Sequence, residues 1–188
     1  IINIGANIWI MDVSLNSARD NITLPEYVLD AVRSINGIKY AVPIYTGGGQ
    51  VKLQDGRYQT VSIIGLDDTT LLGRPEMLQG DISNIYNDDA FLAIKDADYA
   101  KLDYPKIGTV FEINYNRAVI IGLGKTAIGG IFGIPTLYTT YSRAIKDLPT
   151  TRFTITYILA EPKHKNDIAY IKQQVTKLGY LALTKDEF

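Results

Sequence analysis

The chain has 188 residues, 46 % of them apolar and 21 % charged, which fits a folded protein of one large domain or two small lobes and excludes a disordered one. Its net charge of −1 provides no overall field to attract nucleic acid or anionic lipid, so nucleic acid is not an expected partner. It has no cysteine, which excludes disulfides, thiol catalysis and cysteine-ligated zinc.

The chain begins at Ile1 rather than Met and opens without a signal segment, so its ends are expected to be internal to a longer protein. Asn7 to Val13 predicts a strand. A helix is expected over about residues 24–35. Thr23 and Glu26 have capping-box spacing, Pro25 sits in the first turn, and Val28, Ala31, Val32 and Ile35 form an apolar stripe. Gly37 suits the left-handed residue that ends a helix, and Ile38 to Ile44 predicts a second strand.

Lys39 to Leu53 and Tyr58 to Leu66 read as two long strands turned at Asp55-Gly56. Phe91 to Ile94 is a short buried strand, and Asp96 to Leu102 predicts one or two helical turns. Thr109 to Asn114 and Arg117 to Leu123 predict a hairpin turning at Tyr115-Asn116. The apolar stretch from Ala118 to Ile134 is broken by Lys125, Thr126 and several glycines. It falls short of the roughly 20 apolar residues of a membrane span, and reads as a strand followed by a glycine-rich loop.

Arg152 to Ala160 repeats the opening grammar. Phe153, Ile155, Tyr157 and Leu159 are expected on one face of a strand, with Thr154, Thr156 and Ile158 on the other. A helix at about 166–178, with Asn166 as cap and Ile168, Ile171, Val175 and Leu178 as its stripe, ends at Gly179. Tyr180 to Thr184 closes the unit. Strand, helix, glycine, strand thus occurs twice. The predicted class is α+β: a split β-α-β lobe from residues 1–44 and 151–188, with residues 45–150 as an inserted β-rich lobe. In such a sandwich the first and last strands are antiparallel neighbours, so both ends leave together.

Residue chemistry argues against an enzyme. His164 is the single histidine and lies in a charged turn, so neither a histidine triad nor a histidine metal site can be assembled. Gly122-Leu123-Gly124-Lys125-Thr126 resembles a phosphate loop, but Val119 stands where the P-loop needs glycine, and Ile128 to Gly133 makes a poor helix. Asp67-Asp68 and Asp88-Asp89 lack calcium-loop spacing and read as solvated turns; Asp12 and Glu112 lie inside predicted strands. No cofactor or metal is expected. Thirteen tyrosines against five phenylalanines suit half-buried strands or interfaces.

Several motifs, taken in order, resemble one family. Asn7 to Asp12, the Pro-initiated helix, Ile35-Asn36-Gly37-Ile38 and Ala41-Val42-Pro43 look like the opening of the extracytoplasmic (periplasmic core) domain of MacB/FtsX-type ABC transporter permeases. Val61 to Asp67, Pro75 to Asp81 and Ala118 to Gly122 are similar to further stretches of that family. The Gly122 to Ile134 stretch and the closing Leu183 to Phe188 look like its DevC-like branch. The resemblance implies a bacterial inner-membrane permease with this porter-like and β-rich domain on the periplasmic side. It further implies a homodimer, a cytoplasmic ATPase subunit or domain, a membrane-fusion adaptor, and ATP-driven motion transmitted during efflux. A docking surface is expected at the Tyr45, Gly47, Gly48 and Gly49 loop and at Tyr138 and Tyr141, where flexible glycines and aromatic anchors occur. The alternatives are a free-standing periplasmic ligand-binding protein with an inter-lobe cleft and a nucleotide-dependent enzyme built on Gly122 to Lys125.

Overall fold

The structure, a computed structural model, describes residues 6–14, 22–126, 133–147, 154–184 and 186–187. In chain order its strands and α-helices are β1 (Ile8–Asp12), α1 (Glu26–Arg33), β2 (Ile38–Lys52), β3 (Tyr58–Leu66), β4 (Glu76–Gln79), β5 (Ala90–Ile94), β6 (Val110–Ile113), β7 (Asn116–Lys125), β8 (Thr136–Thr140), α2 (Tyr141–Asp147), β9 (Thr154–Pro162), α3 (Ile168–Lys177) and β10 (Tyr180–Thr184). Short 3-10 turns cover Ile82–Tyr86, Tyr99–Leu102 and Lys165–Asp167. The class is α+β.

The strands join in the order β10-β1-β9-β2-β3-β8-β5-β7-β4. β10, β1, β9 and the first half of β2 are antiparallel throughout, and Ile8 pairs with Thr184. Both ends of this four-stranded part therefore leave from one edge of the molecule. β2 then continues beyond β9 and pairs with β3 from Tyr45 to Lys52. β6 bridges β2 and β7, so β2, β3, β8, β5, β7 and β6 close into a barrel.

Strand alternation sends side chains into three cores. Ile8 and Ile10 of β1 face α1 and α3, meeting Val28, Val32, Ile171 and Val175. Val51, Val61, Ile63, Phe91, Phe111, Ile113, Ile120 and Leu137 fill the barrel, with Ala144 of α2. The opposite face carries Trp9 and Met11 together with Val42, Ile44, Ile64, Leu66, Leu92, Ile94, Tyr138 and Leu159. Leu71, Leu72 and Ile85, from the 67–86 connection, cover that face. This third core joins the four-stranded part to the barrel with continuous apolar packing.

Local chemistry shifts several elements from their expected positions. Leu24 donates its N–H to Ile155 O at 2.8 Å and is held extended, so α1 starts at Glu26 with Pro25 at the cap and no Thr23 capping box. The helix expected at about 166–178 begins later too, as α3 at Ile168. Asp167, not Asn166, organises its start, its carboxylate accepting the His164 N–H at 3.1 Å. The hairpin expected to turn at Tyr115-Asn116 turns one residue earlier. Asn114 and Tyr115 both have positive φ, and Ile113 pairs with Asn116. Asparagine tolerates that conformation, and Asn114 Oδ1 also accepts the Gln50 N–H at 3.0 Å. In β9 the pairing jumps from Ile44–Tyr157 to Tyr45–Ile155, leaving Thr156 as a bulge. Ile155 is thereby turned to the helix-side core with Ile158 and Ala160, whereas Tyr157 and Leu159 face the other way. The expected face assignment fails at that point; Phe153 lies outside the described residues.

Sequence reading missed β4, β8 and α2. Glycines explain how β4 reaches β7. A Cβ at Gly122 would lie 2.6 Å from Met77 Cε, and one at Gly124 would lie 2.9 Å from Pro75 Cγ. At Gly80, φ is +86° and a Cβ would come within 2.6 Å of Ile121 O. Gly80→Ala is therefore expected to cost about 1–3 kcal/mol, read as a lower urea midpoint at unchanged slope.

Near the last strand, Lys172 Nζ donates to Glu187, whose carboxylate also accepts the Thr184 N–H and hydroxyl. The Lys172 ammonium first, and the Thr184 donors next, lower the Glu187 pKa to about 2. A depressed carboxylate adds stability above its unfolded pKa and loses it as pH falls toward the folded value. An NMR titration should place Glu187 near 2, and Lys172→Met should move it back toward the ordinary glutamate range.

Candidate functional site

The expected docking residues gather where β2 leaves β9, but not as a loop. Gly47, Gly48 and Gly49 sit within β2, paired with Ile63, Ser62 and Val61. The β-sheet hydrogen bonding that fixes β3 to β2 continues through all three, so the flexible-glycine reading is corrected to a glycine strand. Gly48 is exposed, with nothing among the described residues within 4 Å of an added Cβ.

Tyr45 is buried and stacks on Tyr141 at the start of α2, with ring centroids 4.0 Å apart and planes inclined by 18°. Burial, and then its bond with Tyr141, hold the Tyr45 phenol well above its ordinary range. Tyr138 is 1 % exposed, its hydroxyl 3.5 Å from Thr126 Oγ1. It is a core residue with no surface to offer a partner in this conformation. Of the expected six, Gly48 and half-buried Tyr141 face outward most. The aromatic signal pointed to packing as much as to an interface.

Arg143, overlooked in the sequence, ties α2 to the neighbouring 3-10 turn. Its guanidinium donates to Ile85 O at 2.9 Å, Ala90 O at 3.1 Å and Asn87 O at 2.8 Å. Asp68 Oδ1 accepts the Ser142 N–H at 3.1 Å, and Asp67 closes its own turn through Thr70. Both acidic residues thus serve turns. Asp89 pairs with Arg117 at 3.2 Å.

The phosphate-loop lookalike is strand β7 as far as Lys125, and its glycines admit Pro75 and Met77 rather than a ligand. Positions 127–132, where the poor helix was expected to start, lie outside the described residues. His164 is exposed beside the start of α3. Among the described residues, no group of three or more His, Cys, Asp or Glu side chains could hold a metal ion.

A pocket of about 590 Å³ opens at the barrel end. Gln50 of β2, Tyr58 of β3, Glu112 of β6, the turn residues Asn114 and Tyr115, and Lys146 and Asp147 of α2 line it. Tyr58 and Tyr115 are 60 % and 89 % exposed. Ala41 of β2 pairs beside Ala160, which itself pairs with Ile8. From Ala41 to Lys52 the strand can extend up to about 36 Å, so the pocket lies at the end of β2 remote from Ile8 and Thr184.

No protein-family model and no curated protein matches the chain. Solved structures do. The extracellular domain of the noncanonic ABC-type transporter YknZ from Gram-positive bacteria is 11 % identical at a TM-score of 0.61, over 95 % of this chain and 99 % of that one. The periplasmic region of MacB from Actinobacillus actinomycetemcomitans is 13 % identical at a TM-score of 0.62, over 97 % of this chain and 90 % of that one. At such identities the likeness is one of architecture, and it covers nearly the full length on both sides. This chain has the fold of the extracellular and periplasmic domains of ABC-type transporters.

Proposed function

We propose that this chain is a non-catalytic, extracytoplasmic domain of an ABC transporter permease. The near-complete overlap with the YknZ and MacB outer domains carries the reading. The pairing of Ile8 with Thr184 supports it, because a domain held between two membrane segments needs both ends on one side. Among the described residues no helix is long and apolar enough to cross a membrane.

The finer reading is mechanical. ATP hydrolysis by a cytoplasmic ATPase moves the membrane helices of a permease homodimer in a bacterial inner membrane. The four-stranded part, residues 1–44 and 151–188, takes up that motion on the periplasmic side. The β-rich part, residues 45–150, delivers it to a membrane-fusion adaptor or to cargo during efflux. The DevC-like assignment rests on the sequence of Gly122 to Ile134 and Leu183 to Phe188 alone. A ligand-binding protein with a cleft between the parts is less well supported, since Trp9, Met11, Leu92, Ile94 and Tyr138 share one core across that boundary.

The encoded sequence on either side of residues 1 and 188 decides the matter. We expect an apolar stretch of about 20 residues close to each end. A gene product without them would refute the proposal.

For docking, exposed Gly48 and half-buried Tyr141 are the residues of the expected surface best placed to meet a partner. Gly48→Thr should fold normally and gain up to about 1 kcal/mol, because a β-branched residue suits an open strand position better than glycine. Tyr138→Ala should instead lose about 3 kcal/mol, as expected for emptying a large core site. Denaturant melts of both variants check this. Equal stability would place Tyr138 outside the core.

A further inference from the structure

The pocket at the barrel end has an asymmetry in its hydrogen bonding. Its amide donors are engaged: Asn114 Nδ2 donates to Asp147 O at 3.3 Å, and Gln50 Nε2 donates to Thr60 Oγ1 at 2.8 Å. Its acceptors are not. Asp147 is 6 % exposed, yet no hydrogen bond or ion pair reaches its carboxylate among the described residues. Burial raises its pKa, with Lys146 and then Arg143 acting in the opposite sense from a distance. The Glu112 carboxylate also lacks a hydrogen bond or ion pair among the described residues, although Lys52 and Arg117 stand opposite it in β2 and β7. Gln50 Oε1 is a further acceptor. Lys146 is exposed, so its ammonium can stay in water.

The Asp147 side chain is largely covered, but its carboxylate oxygens are not sealed from solvent, so a donor that enters the pocket can take the place of water there. Among its acceptors Asp147 is buried, Glu112 half-buried and Gln50 exposed, and the aromatic rings of Tyr58 and Tyr115 beside them are widely exposed. Ammonium and guanidinium groups carry donors only, and they are attracted to aromatic faces. We propose that this pocket binds one organic cation, an alkylammonium or guanidinium group on a slim apolar stem. Asp147 and Gln50 accept its hydrogen bonds, and Tyr58 and Tyr115 flank the stem. The site is defined by its own chemistry and does not depend on the transporter reading.

The test is an NMR titration of the whole chain with n-butylguanidinium, n-butylammonium, neutral n-butylurea and acetyl-Gly-Arg-Gly-amide. The cations should shift the side-chain amide signals of Gln50 and Asn114, with dissociation constants on the order of 1 mM for such small probes. Butylurea, of similar shape, should bind at least about tenfold more weakly. Asp147→Asn should lose about tenfold in cation affinity while melting no lower than the parent, because it removes an unpaired buried charge. Tyr115→Ala, at a widely exposed position, should fold normally and lose about threefold. Tighter binding of the peptide than of butylguanidinium would assign the cation to a protein side chain, and the reverse to a free amine. Equal binding of butylurea, or full affinity in a folded Asp147→Asn, overturns the proposal. If Asp147→Asn does not fold, unchanged affinity in Tyr115→Ala overturns it.

Discussion

Everything in this fold depends on β2 being one unbroken strand in two different sheets. From Ile38 to Thr46 it pairs with β9, and from Tyr45 to Lys52 with β3. Its alternation is kept across the changeover. Ala41 and Tyr45 face the helices, Val51 on the same side enters the barrel, and Val42 and Ile44 face the shared third core. A one-residue slip in such a strand would exchange every one of these destinations. At the changeover the bulge at Thr156 places the irregularity in β9 instead, so β2, whose own register shift lies back at Lys39, stays in phase from Tyr40 onward. Thr156 is buried there, with its hydroxyl beside that of Thr46.

Much of the fold was legible because the strongest preferences along this chain are local. The helical stripes of α1 and α3, the Asp55-Gly56 hairpin and the strands flanking each helix come from periodicity and turn chemistry. Two of the misplaced boundaries share one cause, which is a long-range partner overriding a local preference. Leu24 is held by Ile155, more than a hundred positions away in the chain. The turn at Asn114-Tyr115 is fixed by Gln50 as well as by its own residues. Strand β8 was missed because Thr136, Thr139 and Thr140 look polar, although all three are buried; Thr139 is satisfied by the Ala90 carbonyl at 2.9 Å. Hydrophobic patterning cannot see a threonine whose hydroxyl has a distant acceptor.

The candidate surface was less legible, and glycine is the reason. Gly47 to Gly49 and Gly122 to Gly124 look alike as text, inviting a flexible loop in one case and a phosphate cradle in the other. In space both are strand. The second set exists so that Pro75, Met77 and Gln79 can lie against the backbone of β7. The first includes Gly48, which no neighbouring side chain or backbone among the described residues requires. A missing side chain records that something passes close or that nothing does, and sequence alone does not separate the two. The barrel-end pocket was invisible for another reason: its walls come from β2, β3, β6 and α2, which are far apart in the chain.

The same geometry bears on how a push at one end would reach the other. The four-stranded part ends at Ile8 and Thr184, and the pocket lies where β2 terminates. Two routes connect them. One is the covalent path along β2, whose glycine run is its least stiff section for want of side-chain packing. The other is the third core, where Trp9 meets Tyr157 edge-on at 5.6 Å and shares its cluster with Leu92 and Tyr138 of the barrel. Interiors packed at crystal-like density transmit strain rather than absorb it. Apolar packing beside a glycine strand therefore resists hinging that the strand alone would permit, and on the proposed reading the domain carries motion as a stiff lever.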